Sequence, residues 1–264
     1  MNDILRVENM TMCFGGLVAV NDVSFQMEKR TIHSLIGPNG AGKTTIISMM
    51  NGTLPVPGGK VFFDGEDVTN KPTYVIAKKG MGRTFQNIKL FDSMTVEENL
   101  LIGATYLYEY DSFLKFLITP KRQRRLDRQA REIAGEIMND FNIYHMKNER
   151  VGKLAYGHKK IVELARTVIS RPKLILLDEP AAGLNPTERQ EFIGIIRNVF
   201  ESGIDFFIIE HNMDVIMNLS DRITVINFGE KIAEGTPEEI RNNDLVIEAY
   251  LGDRFKKERG QASC

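Results

Sequence analysis

Cysteine is nearly absent: Cys13 and Cys264 are the only two in 264 residues. They make neither a disulfide framework nor a metal-ligand spacing, which fits a reducing cytoplasm, and Cys13 is expected to be a small packed residue and nothing more. Long hydrophobic runs are missing as well. No stretch approaches the ~18 uncharged apolar residues that span a bilayer, and the opening MNDILRVENM has no apolar segment of signal-peptide length. Work at a membrane is therefore expected from the side. An excess of either charge is also lacking: 34 basic residues stand against 35 acidic ones, net charge −1, so a broad basic surface for nucleic acid is not the chain's main device. Internal repeats and low-complexity linkers are absent. What is present is an ordinary globular composition, 42% hydrophobic and 26% charged, long enough for one extended core with a smaller satellite subdomain.

Apolar and polar positions alternate through Leu5-Arg6-Val7-Glu8 and again from Val18 to Met27, with Gly15-Gly16 between, so residues 4–30 predict antiparallel strands joined by a turn. A further hairpin is expected at Lys60 to Gly65, with Asp64-Gly65 as a favoured two-residue turn. A helix over Lys43 to Asn51 is stopped by Gly52 and the Pro55/Pro57 pair. From about residue 94 the pattern turns helical. Thr95-Val96-Glu97-Glu98 has capping-box spacing before an apolar run to Leu107, and Leu126, Ala130, Ile133, Ile137 and Phe141 recur on one helical face. Between them lie the apolar stretch Phe113 to Pro120 and the basic residues Lys121, Arg122, Arg124, Arg125, Arg128 and Arg131, which read as a solvated face or as a contact for lipid headgroups or an acidic partner. An inserted helical subdomain is placed at about 94–156.

A helix over 158–170 then leads through Arg171-Pro172 into Leu174-Ile175-Leu176-Leu177, a continuous apolar run of the kind buried on both faces of a parallel sheet. A helix over 186–201 starts at Asn185-Pro186, a capping side chain followed by proline at the first helical position. Strands at Asp205 to Ile209 and Ile223 to Asn227 flank a helix near 212–219. A turn at Gly229-Glu230, a final helical segment through Tyr250 and a charged tail from Arg254 to Cys264 follow. Strands alternating with helices predict a parallel α/β sheet.

The chemistry begins at Gly37-Pro38-Asn39-Gly40-Ala41-Gly42-Lys43-Thr44-Thr45, directly after the predicted strand Thr31 to Ile36. Glycines in the spacing G-x-x-x-x-G-K-[ST] let backbone N–H groups turn inward around phosphates. Lys43 can then reach the β- and γ-oxygens, the Thr44 hydroxyl can hold Mg²⁺, and the following helix points its positive dipole end at the same anion. The loop therefore predicts binding of ATP or GTP. Asp178-Glu179-Pro180 closes the apolar run at Leu177, at the strand end where α/β proteins place ligands. Adjacent carboxylates suggest a division of labour, with Asp178 on the magnesium shell and Glu179 polarising a water in line with the γ-phosphate; hydrolysis is the implied reaction.

Taken together, the segments resemble the nucleotide-binding subunits of ABC transporters, in order and spacing over nearly the whole chain. Phe14 stands where that family stacks an aromatic on adenine, and Gln86 in Arg83-Thr84-Phe85-Gln86-Asn87 matches the glutamine that touches metal or attacking water. Leu154-Ala155-Tyr156-Gly157-His158-Lys159 occupies the signature position, Asp178/Glu179 the Walker B pair, Ala182-Gly183-Leu184-Asn185 the D-loop and His211 the switch histidine. The resemblance implies a P-loop ATPase core with a mostly parallel sheet (1–93 and 157–253), an antiparallel β subdomain, the helical insertion at 94–156, and a tail at 254–264. It implies ATP and Mg²⁺ as ligands, with Lys43, Gln86, Glu179 and His211 as catalytic residues and Thr44, Gln86 and Asp178 near the metal.

The resemblance also implies a second ATPase subunit, the same chain or another, packed head to tail, so that Ala155, Tyr156, Gly157 and His158 of one cap the γ-phosphate held at Gly37 to Thr45 of the other. Two transmembrane permease subunits and, indirectly, a periplasmic or extracellular substrate-binding protein complete the expected assembly, with this chain cytoplasmic and peripheral on the inner face of the membrane. Nucleic acid is not expected. Two departures stand out: the signature serine is Ala155 and the D-loop aspartate is Asn185. With Phe14-Gly15-Gly16-Leu17, the Arg-Thr-Phe-Gln-Asn glutamine loop and Val246-Ile247-Glu248-Ala249-Tyr250-Leu251-Gly252, they are similar to the ATP-binding subunits of branched-chain amino acid importers, including urea and amide relatives. Lipopolysaccharide-export ATPases share the tyrosine-containing signature, but the glutamine loop favours the importers. A soluble ABC protein is the remaining alternative, since a GTPase would not carry these segments and lacks an Asn-Lys-x-Asp.

Overall fold

A computed structural model describes residues 3–84, 87–108 and 120–251. Gln86, most of the apolar stretch beginning at Phe113, and the tail from residue 254 lie outside the described residues.

The alternating N-terminal segments form a hairpin of β1 (Asp3–Phe14) and β2 (Leu17–Glu28), and β4 (Gly58–Phe63) with the short β5 (Glu66–Asp67) completes a four-stranded antiparallel sheet in the order β2-β1-β4-β5. The Asp64-Gly65 turn closes a pair in which Phe63 faces Glu66, and both turn residues take positive φ, 48° and 83°. Cys13 corrects its expectation: it is exposed, not packed. A register shift between Met12 and Cys13 carries the last two residues of β1 past the covered part of the sheet, so that Met12 is the final buried side chain of the strand.

The second sheet has six strands, β3 (Ile32–Ile36), β6 (Met81–Arg83), β7 (Leu174–Asp178), β8 (Asp205–Ile209), β9 (Arg222–Asn227) and β10 (Glu230–Gly235), in the order β10-β9-β3-β8-β7-β6. All neighbours are parallel except β10, which returns antiparallel on β9. The apolar run of β7 follows from its two-sided burial. Ile175 and Leu177 enter one core with the helical segments, while Leu174 and Leu176 enter a second with the antiparallel sheet. Each such side chain contributes about 1.5–3 kcal/mol by leaving water.

Helices α1 (Lys43–Met50), α2 (Thr73–Lys78), α3 (Val96–Gly103), α4 (Pro120–Asp140), α5 (Tyr156–Val168), α6 (Pro186–Glu201), α7 (Met213–Leu219), α8 (Pro237–Arg241) and α9 (Asp244–Leu251) surround the sheets. Thr95 and Glu98 form the expected capping box on α3, but the helix ends at Gly103 and the apolar run continues as a 3-10 turn over Ala104–Tyr108. On α4 the buried face is Ala130, Ile133, Ala134 and Met138, continued by Phe141 just past its end, with Ile137 only partly covered; Arg124, Arg125, Arg128 and Arg131 are exposed. The chain leaves for and returns from these helices side by side. Thr95 bridges Arg150, Val96 N donates to Glu149 O, and Val151 N donates to Met94 O, both at 3.0 Å.

Three further details differ from the sequence expectations. Helix α5 starts at Tyr156, two residues before the expected 158, with Ala155 as an N-cap that makes no side-chain hydrogen bond. The turn after β9 is Phe228-Gly229, since Glu230 already pairs with Asn227. Glu230 to Gly235 form strand β10, whose mixed charged and apolar sequence lies on the sheet edge, exposed or half-buried up to Gly235.

Candidate nucleotide site

Parallel register sets the site. Asp178 on β7 pairs with Ile209 on β8, and Leu35 on β3 pairs with the same residue, so the chain leaves all three strands at one edge. There the phosphate loop follows β3, Glu179 follows β7 and His211 follows β8. This is the carboxyl edge where open α/β sheets bind ligands.

The loop from Gly37 to Gly42 packs too tightly for side chains at its ends. A Cβ on Gly37 would lie 2.1 Å from Ile226 O, and one on Gly42, at φ 101°, would lie 2.4 Å from Ala19 O. Gly42 stands at the N-cap of α1 with no side-chain cap, which leaves the helix start without a competing acceptor. Lys43 opens α1 and folds back over the loop, its Nζ donating to Gly37 O at 2.7 Å and Pro38 O at 2.9 Å. Burial lowers its pKa from the ordinary lysine value, while Glu179 and Asp178 pull it upward. Phe14, Asn39, Gly40, Ala41, Gly42, Lys43, Thr44, Thr45 and Glu179 line one cavity of about 550 Å³, joined by Phe228. Phe14 is half exposed there.

Behind that cavity Asp178 is almost fully buried and forms an ion pair with Arg83, Nη2 to Oδ2 3.2 Å. Burial pushes the Asp178 carboxyl above the usual carboxylate range, outweighing the opposing pull of Arg83. Glu179 takes φ 49°, rare for a residue with a side chain, and its N–H donates to Ile209 O at 2.8 Å. The neighbouring strand thus clamps the turn that presents it. His211 Nδ1 stands 3.8 Å from Glu179 Oε1. The backbone beside His211 is organised by the buried Glu210, which accepts from Ala181 N (2.8 Å), His211 N (2.9 Å) and Asn212 N (3.1 Å).

The signature segment forms the first turn of α5. Ala155 is its N-cap, with no side-chain hydrogen bond, whereas Thr95, Asn185, Asn212 and Thr236 cap α3, α6, α7 and α8 with theirs. Tyr156 packs over the D-loop: a Cβ on Gly183, at φ 78°, would lie 2.9 Å from the Tyr156 ring. Ala155, Tyr156, Gly157 and His158 do not line the cavity of Phe14 and Lys43. The structure therefore gathers Phe14, the phosphate loop and Glu179 around one space, sets Asp178 and His211 beside Glu179, and leaves the signature apart.

Sequence reasoning did not single out Arg83, Glu210 or Phe228. Arg83 had the faintest signal, a lone cation beside the glutamine loop; Glu210 stood as one more residue before His211; and Phe228 was hidden by the misplaced turn. Metal chemistry is compatible with the donors present. Thr44 and Asp178 offer hard oxygen atoms, while among the described residues no group of three or more His, Cys, Asp or Glu side chains is placed to hold a metal alone. Two protein oxygens supplemented by phosphates suit Mg²⁺.

Comparison with known proteins gives the same outline. The family model described as ABC transporter matches residues 20–182, and one described as Branched-chain amino acid ATP-binding cassette transporter matches 230–256. The high-affinity branched-chain amino acid transport ATP-binding protein BraF of Pseudomonas aeruginosa is 44% identical over 251 residues, covering 95% of this chain and 98% of the relative. LivG of Escherichia coli, described in the same words, is 41% identical over 253 residues, covering 95% and 98%. Among solved structures, a nucleotide-free ATP-binding cassette from an ABC transporter superposes with TM-score 0.81 at 34% identity, covering 95% of this chain and 99% of that one. The ADP conformation of an ATP-binding cassette of an ABC transporter gives 0.81 at 33%, covering 96% and 100%. With the ABC transporter model matched over residues 20–182 and relatives above 40% identical along nearly the whole length, this chain belongs to the ABC transporter ATP-binding family.

Proposed function

We propose that this chain binds and hydrolyses ATP to power uptake of branched-chain amino acids through membrane permease partners, working as a peripheral subunit on the cytoplasmic face. The observation that carries the reading is the single cavity that puts Phe14, the phosphate loop with Lys43, and Glu179 around one nucleotide-sized space. The substrate class is supported by the branched-chain amino acid transport role for which BraF and LivG are named and by the match of residues 230–256.

In this reading the adenine rests on Phe14, and the N–H groups from Gly37 to Thr45 surround the phosphates. Lys43 exchanges its two loop carbonyls for phosphate oxygens. Glu179 orients a water toward the γ-phosphate, and His211, 3.8 Å from Glu179, stabilises the same group. Thr44 and Asp178 would hold Mg²⁺, which neutralises phosphate charge when bound; Gln86 is assigned to the metal or water on resemblance alone. A second subunit, identical or related, supplies Ala155 to His158 across a head-to-tail interface. With Ala155 in place of serine, what remains to face the γ-phosphate is the uncapped N-terminus of α5.

Replacing Glu179 by Gln is expected to leave ATP binding intact and to lower turnover by roughly 10²-fold or more. Lys43→Ala should abolish saturable ATP binding; an unchanged ATP titration would remove the assignment of the phosphate loop. For the transport role, deletion of the chain in its source cell should eliminate high-affinity uptake of radiolabelled leucine, restored by the wild-type chain and not by Glu179→Gln. Undiminished leucine uptake after deletion would overturn the substrate class.

A further inference from the structure

Arg83 sits at the end of the edge strand β6, directly opposite Leu176 of β7. Because side chains alternate along a strand, Leu176 and Asp178 share one face of the sheet, and Arg83 projects on that face too. Its two terminal nitrogens divide their contacts, Nη2 lying 3.2 Å from Asp178 Oδ2 and Nη1 donating to Ser48 Oγ of α1 at 3.3 Å. Both members of the ion pair are nearly enclosed, with side-chain exposures of 9% and 4%. A carboxylate so enclosed is costly without a counter-charge, and removing one partner of such a pair leaves the other charge stranded.

We propose that Arg83 is the resident counter-cation of Asp178, holding that carboxylate in place while no metal is bound and weakening, by its own charge, the grip of Asp178 on the Mg²⁺ that arrives with nucleotide. The proposal rests on the reading of Asp178 as a Mg²⁺ ligand. Arg83 is a positioning residue: it touches the carboxylate and Ser48, and acts on the metal through Asp178. Its position explains how an enclosed carboxylate can stay oriented and paired through the metal-free part of a cycle. It also keeps the metal from being held so tightly that it stays behind when ADP leaves.

Thermal unfolding in EDTA and titration of Mg²⁺ in saturating ADP test this without turnover. In EDTA, Asp178→Asn should lower Tm by about 5–10 °C, because it removes the carboxylate that balances a nearly enclosed guanidinium. Arg83→Gln should lower it comparably, and the double variant should lose clearly less than the sum of the two. If Asp178→Asn raises Tm in EDTA, as relief of an unbalanced carboxylate would, or if the losses simply add, the counter-cation role is overturned. In ADP, Arg83→Gln should tighten Mg²⁺ about tenfold, since a like charge beside the site is gone, whereas Arg83→Lys, which keeps the charge, should stay within about twofold of wild type. Should Arg83→Gln fail to fold, the Asp178→Asn shift in EDTA still decides. Asp178→Asn binding Mg²⁺ as wild type does would remove the metal reading of Asp178 and this proposal with it. Weakened Mg²⁺ binding in Asp178→Asn beside unchanged binding in Arg83→Gln would overturn the role of Arg83 alone.

Discussion

His33 lies fully buried in the middle of β3, its Nε2 2.9 Å from Thr224 Oγ1 and its ring stacked at 5.5 Å on Phe207 and tilted at 5.8 Å against Phe25. Burial lowers its pKa from 6.5 to about 4; Glu234 opposes that shift, and Arg222 and Lys231 reinforce it. Between those two values the unfolded chain binds the proton that the folded chain refuses. Stability conferred by keeping His33 neutral is therefore complete above pH 6.5 and is lost as pH falls toward 4, by on the order of 3 kcal/mol. His33→Gln, which cannot titrate, should lose less stability than wild type over that window in urea unfolding followed from pH 7 to 4. Parallel curves would show that His33 does not contribute. In the sequence this histidine was hidden inside an apolar run, as Arg83 was beside the glutamine loop. Their roles depend on what the neighbouring strand places opposite them, which local pattern does not encode.

Helix starts obeyed local chemistry. Asn185 accepts from Thr187 N and Glu188 N, both at 3.0 Å, while Glu188 accepts from Asn185 N at 2.9 Å. Asn185→Ala should cost about 1 kcal/mol and lower Tm by roughly 2–4 °C in a chain of this size; an unshifted Tm would show that the cap is replaced by solvent. These caps, the Asp64-Gly65 hairpin and the buried strands β7 and β8 were legible because turn residues, caps and two-sided burial each leave a mark on their own segment. The start of α5 was not, because no Ser, Thr, Asp or Asn marks it and Ala155 serves as N-cap without a side-chain bond. Strands β6 and β10 escaped for a related reason: each is an edge strand paired on one side, so its pattern is weak until its partner is known. Of the candidate site, the phosphate loop, Asp178, Glu179 and His211 could be read from sequence, whereas the supporting residues Arg83, Glu210 and Phe228 could not.

At the scale of the molecule, the site as found in one chain is half of what the proposed reaction requires, since the signature turn of α5 lies away from the cavity that holds Lys43. Activity should then depend on pairing. Specific ATPase rate of the isolated chain should climb with protein concentration, and Glu179→Gln should sediment as a dimer with ATP and as a monomer with ADP. A rate per chain that stays constant over a hundredfold dilution would remove the composite site. Pairing gives further meaning to Glu210. Through one carboxylate it fastens the backbone at Ala181, just before the D-loop, to the backbone of His211 and Asn212. The D-loop and the loop carrying the histidine thus share one rivet. In a pair of such chains, each half would feel through Glu210 whether its neighbour's nucleotide is still whole.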